Sequence, residues 1–157
     1  LIERVSYPFT LGIDPAFGRG LFSCYDSTMP IEFELPFPPS SNTYYRSVRM
    51  GQSCRVLLSK RGREYKEEVK RIMFYKRKKF GLPVEGRLFL GVRLHAPNRR
   101  KYDIDNRIKA LSDALQFAEV FADDEAIDRL LVTRHEIIKG GLAIVTIEEI
   151  VAVDSAE

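Results

Sequence analysis

The sequence has no tryptophan, two cysteines and two histidines. Cys24 and Cys54 form neither a disulfide framework nor a CxxC metal pair, which points to a reducing cytoplasm. His95 and His135 each fall inside an expected strand, so a Ser–His–Asp triad is not credible and both are read as structural or surface residues. No run approaches the ~20 apolar residues of a membrane helix. The first 28 residues also lack the apolar core of about 7–15 residues that marks a signal peptide. They contain no lysine and carry Gly12, Gly18 and Gly20. They are expected to be an N-terminal extension, with the compact domain and the natural chain expected to start at Met29.

What is abundant is charge, unevenly placed. Residues 40–101 hold 18 basic and 4 acidic side chains, whereas residues 102–157 hold 5 basic and 13 acidic. A solvated helix face accounts for part of the basic excess. The remainder suggests a polyanionic partner such as nucleic acid. At 157 residues the chain suits one domain with a sizeable core.

IEFEL (31–35) alternates as a half-buried strand does, and PFPPS ends it because proline cannot donate to a ladder. Residues 41–52 read as a polar loop, and 54–59 as a short strand. Over 60–80, Tyr65, Val69, Ile72, Met73, Lys76 and Phe80 recur at helical spacing, and Gly81 with Pro83 stops the run. Residues 87–96 form a strand. A second helix fits 105–118 through Ile108, Leu111, Leu115 and Ala118, with Asp105 as candidate N-cap. Residues 127–138 and 142–150 are strands joined by Lys-Gly-Gly, a hairpin signal. The expected order is β-(β)-α-β-α-β-β, a two-layer α+β domain with a mixed sheet and two helices, spanning 29–150 with a tail at 151–157.

KYDIDNRIK (101–109) sets two aspartates one residue apart in basic surroundings. On extended backbone, Asp103 and Asp105 point to the same side and can converge on one hard cation; Mg²⁺ takes one or two carboxylates together with water and phosphate oxygens. The competing reading is a helix cap at Asp105 and ion pairs from Asp103 to Arg99, Arg100 or Lys101. Lys109, one helical turn after Asp105, can sit near a phosphate, or simply pair with Asp105 or Asp113. FADDEA (121–126) adds Asp123 and Asp124. A helix over 105–118 carries the chain about 20 Å away. Asp124 therefore meets Asp103 and Asp105 only if residues 119–124 double back, or if a second subunit supplies it.

LPFPPSSNTYYR (35–46), the Arg-Arg-Lys before DIDN, Lys109 three residues after Asn106, DAL (113–115), FADD (121–124) and KGG (139–141) occur in one order. As a set they resemble the RusA family of Holliday-junction resolvases of bacteria and prophages, from about Met29 to Glu149. The resemblance implies a homodimeric, Mg²⁺-dependent endodeoxyribonuclease, with Mn²⁺ able to substitute, that nicks two strands of a four-way DNA junction symmetrically in recombination and repair. It implies metal ligands at Asp103, Asp105 and Asp124 and a catalytic lysine at Lys109. It also marks a departure, because Tyr102 stands where a family arginine precedes the first aspartate. A tyrosine can stack on a base but cannot neutralise a phosphate.

DNA contacts are expected from Arg46, Arg49, Arg55, Lys60, Arg61, Arg63, Lys76, Arg77, Lys78, Lys79, Arg99, Arg100, Lys101 and Tyr102. Tyr44 and Tyr45 either stack on unpaired bases or pack beneath their loop. Three alternatives remain open: a nuclease for other branched DNA, a non-catalytic DNA-binding module, and an α+β interaction domain whose basic helix faces an acidic protein.

Overall fold

The computed structural model describes residues 30–51 and 53–150. The expected N-terminal extension, the start at Met29 and the tail at 151–157 lie outside the described residues. The elements in order are β1 (Ile31–Pro36), α1 (Ser41–Tyr44), β2 (Tyr45–Met50), β3 (Ser53–Leu58), α2 (Lys60–Phe80), β4 (Arg87–His95), α3 (Asp105–Phe117), a 3₁₀ turn (Asp124–Ala126), β5 (Ile127–His135) and β6 (Leu142–Ile150). Four strands form a mixed sheet in the order β1-β6-β4-β5, and β2 with β3 forms a separate two-stranded ribbon.

Period-two alternation decides which sheet face the helices cover. Phe33 and Leu35 of β1, Leu88, Leu90, Val92 and Leu94 of β4, and Ala143, Val145 and Ile147 of β6 are buried in one cluster. From the other layer, α2 contributes Tyr65, Val69 and Met73, and α3 contributes Ala110, Leu111, Ala114 and Leu115. Each fully buried aliphatic side chain contributes about 1.5–3 kcal/mol of transfer free energy. On the opposite face Arg93 donates to Glu32 at 2.6 Å, and Thr146 donates to the same carboxylate at 3.3 Å. The two-layer α+β expectation therefore holds, with a third, one-turn helix, α1, added to the two expected.

Three details differ from the sequence reading. The stretch 41–52 is not a loop throughout, since it holds α1 and β2, and β2 pairs antiparallel with β3. β5 and β6 do not form a hairpin. β4 lies between them, parallel to β5 and antiparallel to β6. The reason is hydrophobic: β4 is buried along most of its length while β5 is mostly exposed, so the apolar strand takes the centre and the half-polar one the edge. Finally, Asp105 is not the N-cap of α3. Ile104 holds that position in helical conformation without a side-chain cap, and Asp105 is the first helical residue.

The long helix follows its local signals more closely. Ser59 caps α2 by accepting from the Gly62 amide at 3.0 Å, and Gly81 closes it in the left-handed conformation.

Candidate active site

The DIDN segment is held by parts of the chain distant in sequence. Ser41 Oγ donates to Asn106 O at 3.0 Å, and Arg107 Nη1 donates to Pro38 O at 2.9 Å. The Arg107 guanidinium also lies over the rings of Phe37 and Tyr102, at 5.0 and 5.6 Å from their centroids. Burial is the main cause holding the Arg107 pKa below its usual value, followed by the nearby charge of Arg61.

The KGG turn completes the frame. Gly141 has φ +76°, and a Cβ there would come within 2.7 Å of Phe37 Cβ and 3.0 Å of Pro97 Cδ. Only glycine admits both that backbone conformation and that approach. LPFPPS, the basic turn after β4, and KGG thus meet beside DIDN.

After α3 the chain doubles back. Glu119 adopts φ 56°, Val120 and Phe121 are buried, and the Val120 amide donates to Leu115 O at 3.0 Å. Gln116 Nε2 donates to Ala122 O at 3.3 Å. The return brings Asp124 back along α3 to Lys109, whose ammonium donates to Asp124 Oδ2 at 3.0 Å. Asp123 caps the 3₁₀ turn by accepting from the Glu125 amide at 3.1 Å, which leaves Asp124 as the member of the acidic pair turned toward α3.

Asp105, Lys109 and Asp124 line one hollow of about 570 Å³ between α3 and β5, with Ile104, Ile108, Ile127, Leu130 and Val132 as its apolar walls. Asp103 does not line it. It is exposed and accepts from Asn106 Nδ2 at 3.3 Å. Among the described residues, no group of three or more His, Cys, Asp or Glu side chains comes close enough to hold a metal ion. One chain therefore brings together two of the three expected carboxylates with the lysine, and leaves Asp103 to the side.

Lys109 pairs with Asp113 as well as Asp124, each at 3.0 Å, and not with Asp105. These two carboxylates, Asp113 foremost, hold the ammonium above the usual lysine range. Lys109 in turn holds the Asp124 carboxyl below its usual range. Asp113 also accepts from the Tyr45 hydroxyl at 2.6 Å. Burial first, and then this hydrogen bond, pushes the Tyr45 pKa up to about 12, so the phenol is a neutral donor at neutral pH.

Of the two readings for the tyrosines, packing beneath the loop holds for Tyr44. Tyr44 is fully buried, and Tyr45 stacks edge-on against it with ring centroids 4.9 Å apart, so Tyr44 is unavailable to bases. Tyr102 is half-buried edge-on to Phe37, and its ring also faces the guanidinium of Arg134, whose Nη2 donates to Tyr102 O at 2.7 Å. Arg134, which the sequence reading did not single out, thus brings positive charge to the residue preceding Asp103.

Of the expected DNA-binding residues, Arg46, Arg49, Arg55, Lys60, Arg61, Arg63, Arg77, Lys78, Lys79, Arg99, Arg100 and Lys101 are exposed, and Lys76 is partly so. Arg77 is paired with Glu119, and Arg63 Nη1 donates to Leu58 O at 2.7 Å. His95 is buried, with Nδ1 3.1 Å from Glu136 O, and His135 hydrogen-bonds Thr133. Neither lines the hollow.

A carboxylate–lysine hollow on an α+β domain with a strongly basic surface defines a candidate phosphodiester-cleaving protein, and comparison with known proteins narrows it. Residues 36–148 match the family model described as Endodeoxyribonuclease RusA. A relative from Enterobacteria phage HK97, named crossover junction endodeoxyribonuclease rusA, is 34% identical over 122 residues, covering 78% of this chain and 97% of that relative. The protein of the same name from Escherichia coli strain K12 is 38% identical over 117 residues, covering 73% of this chain and 91% of its own length. That from Enterobacteria phage 82 matches equally well. The chain belongs to the RusA family of endodeoxyribonucleases.

Proposed function

We propose that this protein is a divalent-metal-dependent crossover junction endodeoxyribonuclease that resolves four-way DNA junctions by paired, symmetric nicks in recombination and repair. The observation that carries the reading is the meeting of Asp105, Lys109 and Asp124 in one open hollow. Their chemistry suits a hard cation. The hollow offers anionic oxygens and no nitrogen or sulfur ligand, and two carboxylates with water and phosphate oxygens are enough for Mg²⁺. The Lys109 contact also indicates that Asp124 already favours a cationic neighbour. Asp105 and Asp124 would hold the ion, with Asp103 contributing from the turn before α3; Mn²⁺ would substitute for Mg²⁺. A cation held there would lower the pKa of a water and offset charge on the leaving 3′-oxygen.

The chain's own residues supply the rest. Lys109 orients the phosphate and steadies charge that develops on its oxygens. The water oxygen bonds to phosphorus as the P–O3′ bond breaks; the water gives up one proton to solvent and the leaving oxygen takes one from solvent, leaving a 5′-phosphate and a 3′-hydroxyl. Arg61, Arg63, Arg99, Arg100 and Lys101 grip phosphates from the start of α2 and the turn after β4, while Lys76–Lys79 lie about 25 Å along α2 from its start. Contacts so far apart suit a substrate with more than one arm. A homodimer would present two such hollows to the two symmetry-related strands.

Cleavage of a synthetic four-way junction at increasing Mg²⁺, with cuts mapped on all four strands, tests the proposal. Flap and linear duplex controls run beside it. Paired nicks on opposing strands, absent from the duplex, are expected. No cleavage at any Mg²⁺ or Mn²⁺ concentration overturns the nuclease reading, and preferential cutting of flaps overturns the junction assignment. No helix among the described residues is long and apolar enough to cross a membrane. The reducing cytoplasm inferred from the two cysteines is kept as the proposed site of action.

A further inference from the structure

Lys109 has two carboxylate partners, and only one belongs to the proposed metal site. Asp124 lines the hollow beside Asp105; Asp113 does not, and its side chain is only 14% exposed. Asp113 is also fixed from its other side. Its Oδ2 accepts from the Tyr45 hydroxyl at 2.6 Å, while its Oδ1 accepts from Lys109 at 3.0 Å. Tyr45 is itself immobilised, because its ring packs edge-on against the fully buried Tyr44. The chain of contacts runs from the core to the ammonium with no flexible link except the lysine stem.

From this arrangement we propose that Tyr45 and Asp113 are positioning residues that hold Lys109 in the hollow independently of Asp124. The inference rests on the nuclease reading above. When Asp124 turns to a cation, its hold on Lys109 weakens. A lysine with no second partner would then be free to swing on its four-carbon stem, and misplacement by an ångström is enough to lose about 100-fold in rate. Asp113 prevents the swing, and the Tyr45 hydroxyl fixes which way the Asp113 carboxylate faces.

Tyr45→Phe removes the hydroxyl and keeps the ring against Tyr44. Asp113→Asn keeps the shape and removes the charge. Both variants are to be compared with wild type by circular dichroism, by single-turnover cleavage of a four-way junction, and by NMR relaxation of the ¹³Cε group of Lys109 with and without Mg²⁺. The lysine signal is assigned through Lys109→Arg. Tyr45→Phe is expected to lower kcat roughly 10-fold, and Asp113→Asn roughly 100-fold, with KM and metal-free junction affinity unchanged. In wild type, Lys109 Cε should stay ordered when Mg²⁺ is added. In Asp113→Asn it should become mobile on that addition. Wild-type kcat in both variants, or a Lys109 equally ordered in Asp113→Asn with Mg²⁺, overturns the inference. If wild type binds Mg²⁺ but cuts no junction, the nuclease reading fails, while the NMR comparison still decides whether Asp113 holds the lysine.

Discussion

Lys109 and Asp124 are 15 residues apart in sequence and 3.0 Å apart in space. From Lys109 to its end at Phe117, α3 alone carries the chain about 12 Å away. The backward run of residues 118–123, pinned by buried Val120 and Phe121, removes that separation. A contact so dependent on one connection is a sensitive reporter of the proposed chemistry.

Lys109→Met keeps most of the stem and deletes the charge. Cleavage is expected to fall by about 10²–10³, as for loss of one preorganised donor to transition-state charge. Metal-free junction affinity should change little, since one cation among many contributes only a small part of phosphate binding. Single-turnover kinetics beside a gel-shift titration measures both.

The glycine at the meeting point of three distant segments should be irreplaceable. Gly141→Ala adds a Cβ at φ +76° against Phe37 and Pro97. The expected loss is ~1–3 kcal/mol, read as a lower denaturation midpoint in urea. Gly140→Ala also meets a positive φ, of 95°, but finds no atom within 4 Å. It should cost less.

These two cases mark what the sequence makes legible. The bounds of α2, α3, β4 and β6 follow local signals such as helical spacing, a serine cap, a closing glycine and an apolar run, so they can be read from neighbouring residues. The place of β4 between β5 and β6 is non-local; the Lys-Gly-Gly turn alone cannot reveal that another strand lies between them. Strand β2 is hidden for a similar reason: its partner β3 lies outside the main sheet and is exposed along nearly its whole length, so no buried face imposes an apolar alternation on the pair. Within the site, the Lys109–Asp113 pair is visible as an i,i+4 spacing. The Tyr45–Asp113 bond spans 68 residues and has no local signature. The same holds for the backward turn, which leaves Asp105 and Asp124 in one hollow and Asp103 beside it.

Histidine sets one pH response. Burial first, and then the neighbouring ring of His95, holds the His135 pKa below its usual value, with Glu136 opposing and Arg93 reinforcing the shift. The fold thus favours the neutral ring, and the unfolded chain takes up the proton first. The stability this residue contributes is fully present above its unfolded pKa near 6.5 and is lost as pH falls below it. Urea midpoints at pH 7.5 and 5.5 should drop toward the lower pH, and His135→Gln should reduce the difference.

Junction affinity should fall steeply with salt. With many exposed Lys and Arg side chains meeting phosphates, log affinity against log salt should be linear with a slope of several units below zero. A slope near zero would indicate that the basic surface faces a protein instead.

The most direct test of the hollow as the catalytic centre is Mg²⁺-dependent junction cleavage by wild type, Asp105→Asn and Asp124→Asn, with metal-free junction affinity measured on the same samples. Loss of cleavage in both variants, with affinity equal to or above wild type, is the predicted result. Wild-type cleavage rates in either variant would contradict it.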